Sequence, residues 1–364
     1  GLGLLLAREL GAQGCKVVIC ARDASELENA QRDLAARGID VLALVCDVAD
    51  QKQVEDLVEQ ATLHFGGIDI LVNNAGNLLV GPLGMLSPQD FREAMEVDFL
   101  GAVHTTFAVL PQMRARGTGR IVNIASIGGK VAVPHLLPYD AAKFALVGFS
   151  EGLSAEVRRD GILVSTVVPG LMRTGSPVNA VFKGRRRREY SWFALGNGLP
   201  LTSMNAERAA RRIVLAARRG EPELILSWQA KALRLFHDLF PAATLALLAT
   251  VNSALPGDEG GKTEASRGME LALSLPPSRL AFLMSRQGAQ PVRFRVGSAL
   301  QAERSHGLTT ARRAHRLGAG PLATLLWPTF PGRPWRRRAS FRAGRRFALT
   351  SAVSAACVLG AYAV

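Results

Sequence analysis

The sequence predicts an α/β domain built on a doubly wound, mainly parallel sheet, and three observations carry that expectation. Short apolar segments rich in β-branched residues alternate with stretches of helical period from residue 16 to residue 227. Segments such as 121–124 and 162–168 are apolar on neighbouring as well as alternate positions, as strands covered on both faces are. Small and polar residues follow the strands, notably Asn73-Asn74-Ala75-Gly76, Ser126 and Pro169-Gly170, which places chemistry at the carboxyl ends of the sheet.

In chain order, residues 2–13 read as an amphipathic helix that Gly14 punctuates, and 16–20 (KVVIC) as a short strand. Asp23 is an N-cap candidate for a helix over 23–37. A strand at 41–45 leads to Cys46-Asp47-Val48, and a helix over 51–65 ends at Gly66-Gly67, before a strand at 68–72. Residues 87–116 hold a long helix with apolar spacing at Phe91, Met95, Phe99 and Val103, interrupted at Gly101. A strand at 121–124, a helix over 139–160 and a strand at 162–168 follow. Residues 171–203 read as irregular, rich in Gly and Pro, with Trp192 and Phe193 among them. A helix over 205–219 with Asn205 as N-cap and a last strand at 223–227 come next, and 228–256 forms an apolar helical extension that closes a domain of residues 1–256.

Charge is unevenly placed. The formal net is +14, but 291–364 holds thirteen arginines, no lysine and one acid, Glu303, which leaves residues 1–290 at +2. A nearly neutral body gives no sign of a charged substrate. The Arg-rich segment lacks aromatic residues at a defined spacing, which argues against nucleic acid as a partner. Cys15, Cys20, Cys46 and Cys357 show neither metal-ligand spacing nor a paired framework, so free thiols, a reducing cytoplasmic location and no metal site are expected.

The chemistry centres on 119–149. A buried strand delivers Ser126 into a Gly-containing loop, and Tyr139-Asp140-Ala141-Ala142-Lys143 sets a phenol and an ammonium on one helix face, about 5–6 Å apart at Cβ. A lysine cation pulls a phenol down from its ordinary pKa of about 10, as proton exchange with an alcohol or carbonyl oxygen requires. Ser126 is placed to hydrogen-bond that oxygen as negative charge develops on it. Taken singly, these residues have plainer roles, a helix-face pair and a turn or cap serine.

Together, Ser126, Tyr139 and Lys143 resemble the Ser and YxxxK signature of the short-chain dehydrogenase/reductase family. Asn73-Asn74-Ala75-Gly76 resembles that family's NNAG motif, and Pro169-Gly170 with Thr174 its PG motif after the sixth strand. The resemblance implies a Rossmann-like fold and reversible hydride transfer between a nicotinamide cofactor and a carbonyl or secondary alcohol. Tyr139 would be the acid/base, Lys143 would lower its pKa and hold the nicotinamide ribose, and Ser126 would orient the substrate oxygen. Gly1 and Gly3 would be the last two glycines of the family's TGxxxGxG loop, against the cofactor pyrophosphate. The strand and first glycine that precede them in the family are not in the sequence, so a sheet lacking its central strand is expected.

Arg22 stands near the end of the strand at 16–20, where an acid would bind a ribose 2′-OH and an arginine accommodates a 2′-phosphate, which implies NADP(H). Asp47, with Val48 beside it, matches the family's adenine-contacting position. Asn74, Ala75, Gly76, Pro169, Gly170 and Thr174 complete the expected cofactor site. One position departs: the family's active-site asparagine, in an N-x-x-G pattern, is Asp98 in Asp98-Phe99-Leu100-Gly101. An ionised Asp98 favours the Lys143 cation yet puts a second negative charge near the phenolate. The alternative to an enzyme is therefore a weak or inactive NADP-binding scaffold protein.

In the family, 171–203 folds over the substrate, and its aromatic and aliphatic content here suggests an apolar small molecule. The arginine run at 185–188 reads as a solvated loop, with a grip on an anion or membrane surface as the alternative. The uncharged stretch 241–255 is too short to span a bilayer; homo-oligomer contact or packing on the body is expected, with interfacial membrane contact as the alternative. Residues 257–290 read as a polar, Gly-rich linker followed by a short helix from 269, and 291–364 as a disordered or artefactual tail. Its uncharged end, 347–364, is a second candidate for membrane contact.

Overall fold

The structure is a computed structural model that describes residues 1–198 and 203–274 and the backbone of 355–359. In chain order the elements are α1 (Leu2–Ala12), β1 (Lys16–Ala21), α2 (Ala24–Ala35), β2 (Val41–Val45), α3 (Gln51–Phe65), β3 (Ile70–Asn73) and β4 (Leu79–Val80). Then come α4 (Pro88–Met95), α5 (Gly101–Arg116), β5 (Gly119–Ile124), α6 (Leu137–Val157) and β6 (Ile162–Val168). Residues 171–198 contribute β7 (Met172–Arg173), α7 (Ser176–Asn179), β8 (Val181–Gly184) and α8 (Arg186–Gly198). After it lie β9 (Met204–Asn205), α9 (Ala206–Arg219), β10 (Glu223–Ile225), α10 (Trp228–Leu239), α11 (Pro241–Ala254), β11 (Lys262–Arg267), α12 (Gly268–Leu273) and β12 (Ala355–Leu359).

A seven-stranded sheet runs β10-β6-β5-β3-β12-β1-β2, with every neighbouring pair parallel. Both faces are covered, which is why its strands are apolar at consecutive positions. Val17 and Ile19 of β1 pack with Leu6, Leu10, Leu34 and Ile213 from α1, α2 and α9. Val18 and Cys20 turn to the opposite face, with Val54, Leu57, Val109 and Met113 from α3 and α5. The caps read from sequence are present: Asp23 accepts from Glu26 N, Asn205 accepts from Arg208 N, and Gly66 ends α3 at φ 85°.

Several expectations need correction. The sheet has no central gap, because β12, from near the chain's C-terminal end, lies between β1 and β3 in parallel register with both. An empty position there would leave the inner edges of two strands unpaired, and the apolar AACVL segment satisfies both ladders. The assignment of 291–364 to a tail, and of 347–364 to membrane contact, therefore fails for 355–359; the other residues of that segment lie outside the described ones. The long helix expected over 87–116, interrupted at Gly101, is α4 and α5, the latter starting at Gly101, joined by a π-helical turn, Glu96–Leu100, that carries Asp98.

Residues 171–198 are not irregular. Phe182, Tyr190, Phe193 and Ala194 bury together with Val80, Leu271 and Ala272, and β8 is the middle strand of a small sheet, β11-β8-β4. The 257–268 stretch is accordingly no simple linker: β11 pairs antiparallel with β8, and α12 puts Leu271 into the same cluster, so the boundary expected at 256 is not a structural one. The arginine run is not free loop either. Arg186–Arg188 opens α8, Arg185 Nε donates to the Glu259 carbonyl at 2.6 Å, and Arg186 bonds the Ser266 hydroxyl. Helices α10 and α11 expose Trp228, Leu235, Leu239, Phe240, Leu245 and Leu247. Among the described residues no helix is long and apolar enough to cross a membrane.

Candidate active site

The site forms at the carboxyl ends of β3, β5 and β6. Ser126 follows β5 and accepts from Gly128 N at 3.1 Å, which opens a short turn leading back to α6. Tyr139 lies in the first turn of α6 and Lys143 one turn further, with its ammonium 5.5 Å from the centre of the Tyr139 ring. The Ser126 hydroxyl is near enough to the Tyr139 phenol to draw its pKa down. Lys143 Nζ donates to the Ile124 carbonyl at 3.2 Å and pairs with Asp98 Oδ1 at 3.0 Å. Asp98 Oδ2 accepts from Asn77 N at 3.2 Å. A side chain on Gly76 would start 2.6 Å from Asp98 Oδ1, so this glycine makes room for the ion pair.

Lys143 and Asp98 are 4% and 1% exposed, and their electrostatics follow from that burial. Desolvation works against the Lys143 ammonium, but the Asp98 carboxylate and Tyr139 outweigh it and raise its pKa. Desolvation also raises Asp98, against the pull of Lys143. The Tyr139 phenol is raised by burial first and by Asp98 as well, while Lys143 and the Ser126 hydroxyl draw it down. The next carboxyl along, Asp140, accepts from Val133 N at 2.6 Å and is pushed up to about 8 by burial.

Beneath the site, buried polar groups cross-link the elements that carry it. Asn73 at the end of β3 donates to Asn123 Oδ1 at 2.8 Å and accepts from Thr105 of α5 at 2.7 Å, and Asn123 donates to Ser150 of α6 at 2.8 Å. Sequence reading passed over Asn123, Thr105 and Ser150; a lone asparagine in an otherwise apolar strand was the available signal.

One cavity of about 410 Å³ gathers the four predicted catalytic residues, Ser126, Tyr139, Lys143 and Asp98, with Gly1, Asn74, Gly76, Pro169, Gly170 and Thr174. Leu136, Leu171, Trp192 and Phe193 line it as well. Five predicted cofactor residues do not line it. Gly3 is buried within α1, and Ala75 packs into the core under α3 and α5. Val48 is buried, with a methyl 2.7 Å from where a Gly101 Cβ would start. Arg22 and Asp47 stand beyond the carboxyl ends of β1 and β2, partly exposed and 3.8 Å apart. The residues present fit a dinucleotide: the first turn of α1 borders the cavity at Gly1 and Leu2, next to small residues at 76, 169 and 170, and Arg22 directly follows β1.

A family model for short chain dehydrogenases matches residues 1–181. A putative ketoacyl reductase of Streptomyces coelicolor is 40% identical over 176 residues, 48% of this chain and 67% of its own length. The chain belongs to the short-chain dehydrogenase family. Among solved structures, a short-chain dehydrogenase from Streptomyces avermitilis superposes with a TM-score of 0.59 at 30% identity, covering 70% of this chain and 95% of that one. An actinorhodin polyketide ketoreductase solved with NADPH gives a TM-score of 0.56 at 31% identity, over 62% of this chain and 91% of that one. The family, the Rossmann-like fold and the oxidoreductase class expected from Ser126, Tyr139 and Lys143 thus hold for this short-chain dehydrogenase.

Proposed function

We propose that this short-chain dehydrogenase moves a hydride reversibly between NADP(H) and the carbonyl or secondary alcohol carbon of an apolar small molecule. The observation that carries the proposal is the convergence of Ser126, Tyr139 and Lys143 on one cavity that Leu136, Leu171, Trp192 and Phe193 line together with a few polar side chains such as Asn179 and Asn197. Bound NADPH supplies the hydride. The protein's part is proton delivery and charge stabilisation. In the reducing direction, the Tyr139 hydroxyl gives its proton to the substrate oxygen as that oxygen becomes alkoxide-like, and the Ser126 hydroxyl holds the same oxygen in place. The Lys143 ammonium, one turn away, stabilises the phenolate left behind, and Asp98 with the Ile124 carbonyl fixes where that ammonium sits.

NADP(H) rather than NAD(H) is supported by Arg22, just past the carboxyl end of β1, and by the NADPH-bound ketoreductase among the structural relatives. Asp47, 3.8 Å from Arg22, would share that guanidinium with a 2′-phosphate. A second reading, a protein that binds NADP without turnover, is favoured by one observation: Asp98 pairs directly with Lys143 and holds Tyr139 up. Absorbance-monitored oxidation of NADPH and NADH with a panel of apolar ketones separates the two. Turnover faster with NADPH, with the preference cut about tenfold in Arg22→Ala, is the expected result. Tight NADPH binding with no turnover across the panel is the result of the second reading.

A further inference from the structure

The lid formed by β8, α8 and their neighbours is fastened to the catalytic floor through buried polar groups that the reaction does not use. Glu189, in the first turn of α8, is fully buried. Its two oxygens lie 3.1 and 3.0 Å from His135 Nδ1, and the indole N–H of Trp192 donates to Oε2 at 2.7 Å. A carboxylate facing Nδ1 requires the proton on that nitrogen, so His135 donates. His135 is 6% exposed and, at φ 68°, is among the described residues the one non-glycine with positive φ, a backbone state that surrounding contacts must hold. Its carbonyl accepts from Gly81 N at 2.9 Å, next to β4, and its ring meets that of Trp192 edge to face at 6.3 Å.

The placement of these groups gives them a role. His135 stands four residues before Tyr139, while Trp192 and its neighbour Phe193 line the catalytic cavity. Apolar contact, which is non-directional and tolerates sliding, is only part of what holds the rest of the lid: β8 also pairs with β4 and β11, and the Lys183 ammonium meets both Asp90 oxygens at 2.7 Å. A buried carboxylate is not tolerant: losing either donor leaves it underpaired at considerable cost. The setting of α8 over Tyr139 is therefore fixed by the His135–Glu189 bond, with Trp192 of the same helix as the second donor that the carboxylate needs.

We propose that His135, Glu189 and Trp192 form a positioning latch that holds the substrate-facing wall of the cavity and so sets specificity, without taking part in proton transfer. The kinetic test rests on the catalytic reading above; the structural test does not. In the full chain, Glu189→Gln is expected to raise KM for bulky apolar ketones about tenfold, with kcat and NADPH affinity changed less than about twofold. In the same variant, amide hydrogen exchange should speed up across 186–198 and not across 51–65. His135→Asn, which tolerates the left-handed backbone and keeps an N–H donor, is expected to retain wild-type KM and protection, whereas His135→Ala behaves as Glu189→Gln does. If Glu189→Gln fails to fold, Trp192→Phe removes one donor while keeping a ring, and the same loss of protection is expected. Unchanged KM and unchanged exchange in the Glu189 and His135→Ala variants would overturn the latch, as would a fall in Tm with KM unmoved. A wild type that reduces no ketone would sink the catalytic reading, while the exchange comparison would still decide the latch.

Discussion

The catalytic floor and the lid are held together by different forces. The floor is polar at its centre: Asn73, Asn123, Thr105 and Ser150 bond across two strands and two helices, and the buried Asp98–Lys143 pair sits on top. The lid combines an apolar cluster around Phe182 and Tyr190 with a few separate polar ties, Glu189 to His135 and Trp192, Lys183 to Asp90 and Arg185 to the Glu259 carbonyl. Proton transfer needs atoms fixed to a fraction of an ångström, which hydrogen bonds supply, whereas enclosing an apolar molecule needs only a dry surface of the right shape. Changes in the floor should therefore cost rate, and changes in the lid should cost affinity or local stability.

The largest effect is expected from Lys143→Met. It removes the cation that stabilises the phenolate and strands Asp98 at 1% exposure with the Asn77 N–H, so kcat/KM should fall about 10³-fold and stability by about 4 kcal/mol. Steady-state kinetics and urea unfolding check both. Asp98→Ala, which leaves the ammonium buried and unpaired, should cost about 3 kcal/mol. Asp98→Asn should cost less, since its amide oxygen still accepts, but should change turnover severalfold. With its charge gone, one influence that raises Tyr139 is lost, so the rise of alcohol oxidation with pH should move to lower pH. A profile that stays in place would remove Asp98 from the relay.

Phe182→Ala tests the lid. The ring is fully buried, 5.6 Å from Tyr190 and 6.1 Å from Phe193, and its loss should cost about 3 kcal/mol, read as faster exchange in β8 and α8 with the parallel sheet unaffected. Asp140→Asn should have the smallest effect and the opposite sign. The folded chain holds the Asp140 proton up to about pH 8, whereas an unfolded chain releases it near 3.8. The folded state therefore binds more protons across that window, and stability falls as pH rises through it. The variant should flatten that fall and be roughly 2 kcal/mol more stable above it, as thermal melts at several pH values would record.

What the sequence made legible follows the same division. The strands at 41–45 and 162–168 were found to the residue, and Ser126, Tyr139, Lys143 and the departure at Asp98 were singled out, because chemistry restricts residue type and spacing. The lid was read as irregular because any apolar set of suitable volume closes it, and Phe182, Tyr190 and Phe193 carry no code until their neighbours are known. The latch was missed for a similar reason: Glu189 and Trp192 three apart on a helix are common, and nothing adjacent in sequence ties them to His135. The strand 355–359 was misjudged because its partners, β1 and β3, lie some three hundred residues away in the chain. Arg22 and Asp47 were singled out by their places after two strands, but their mutual pairing is a tertiary fact.

The most direct test of the account is NADPH oxidation with apolar ketones by wild type and Tyr139→Phe, alongside NADPH affinity measured for each. The account predicts kcat/KM lower by about 10³-fold in the variant, with NADPH affinity nearly unchanged, because one proton donor is lost and the cofactor's other contacts remain. Ketone turnover that survives the substitution would contradict it.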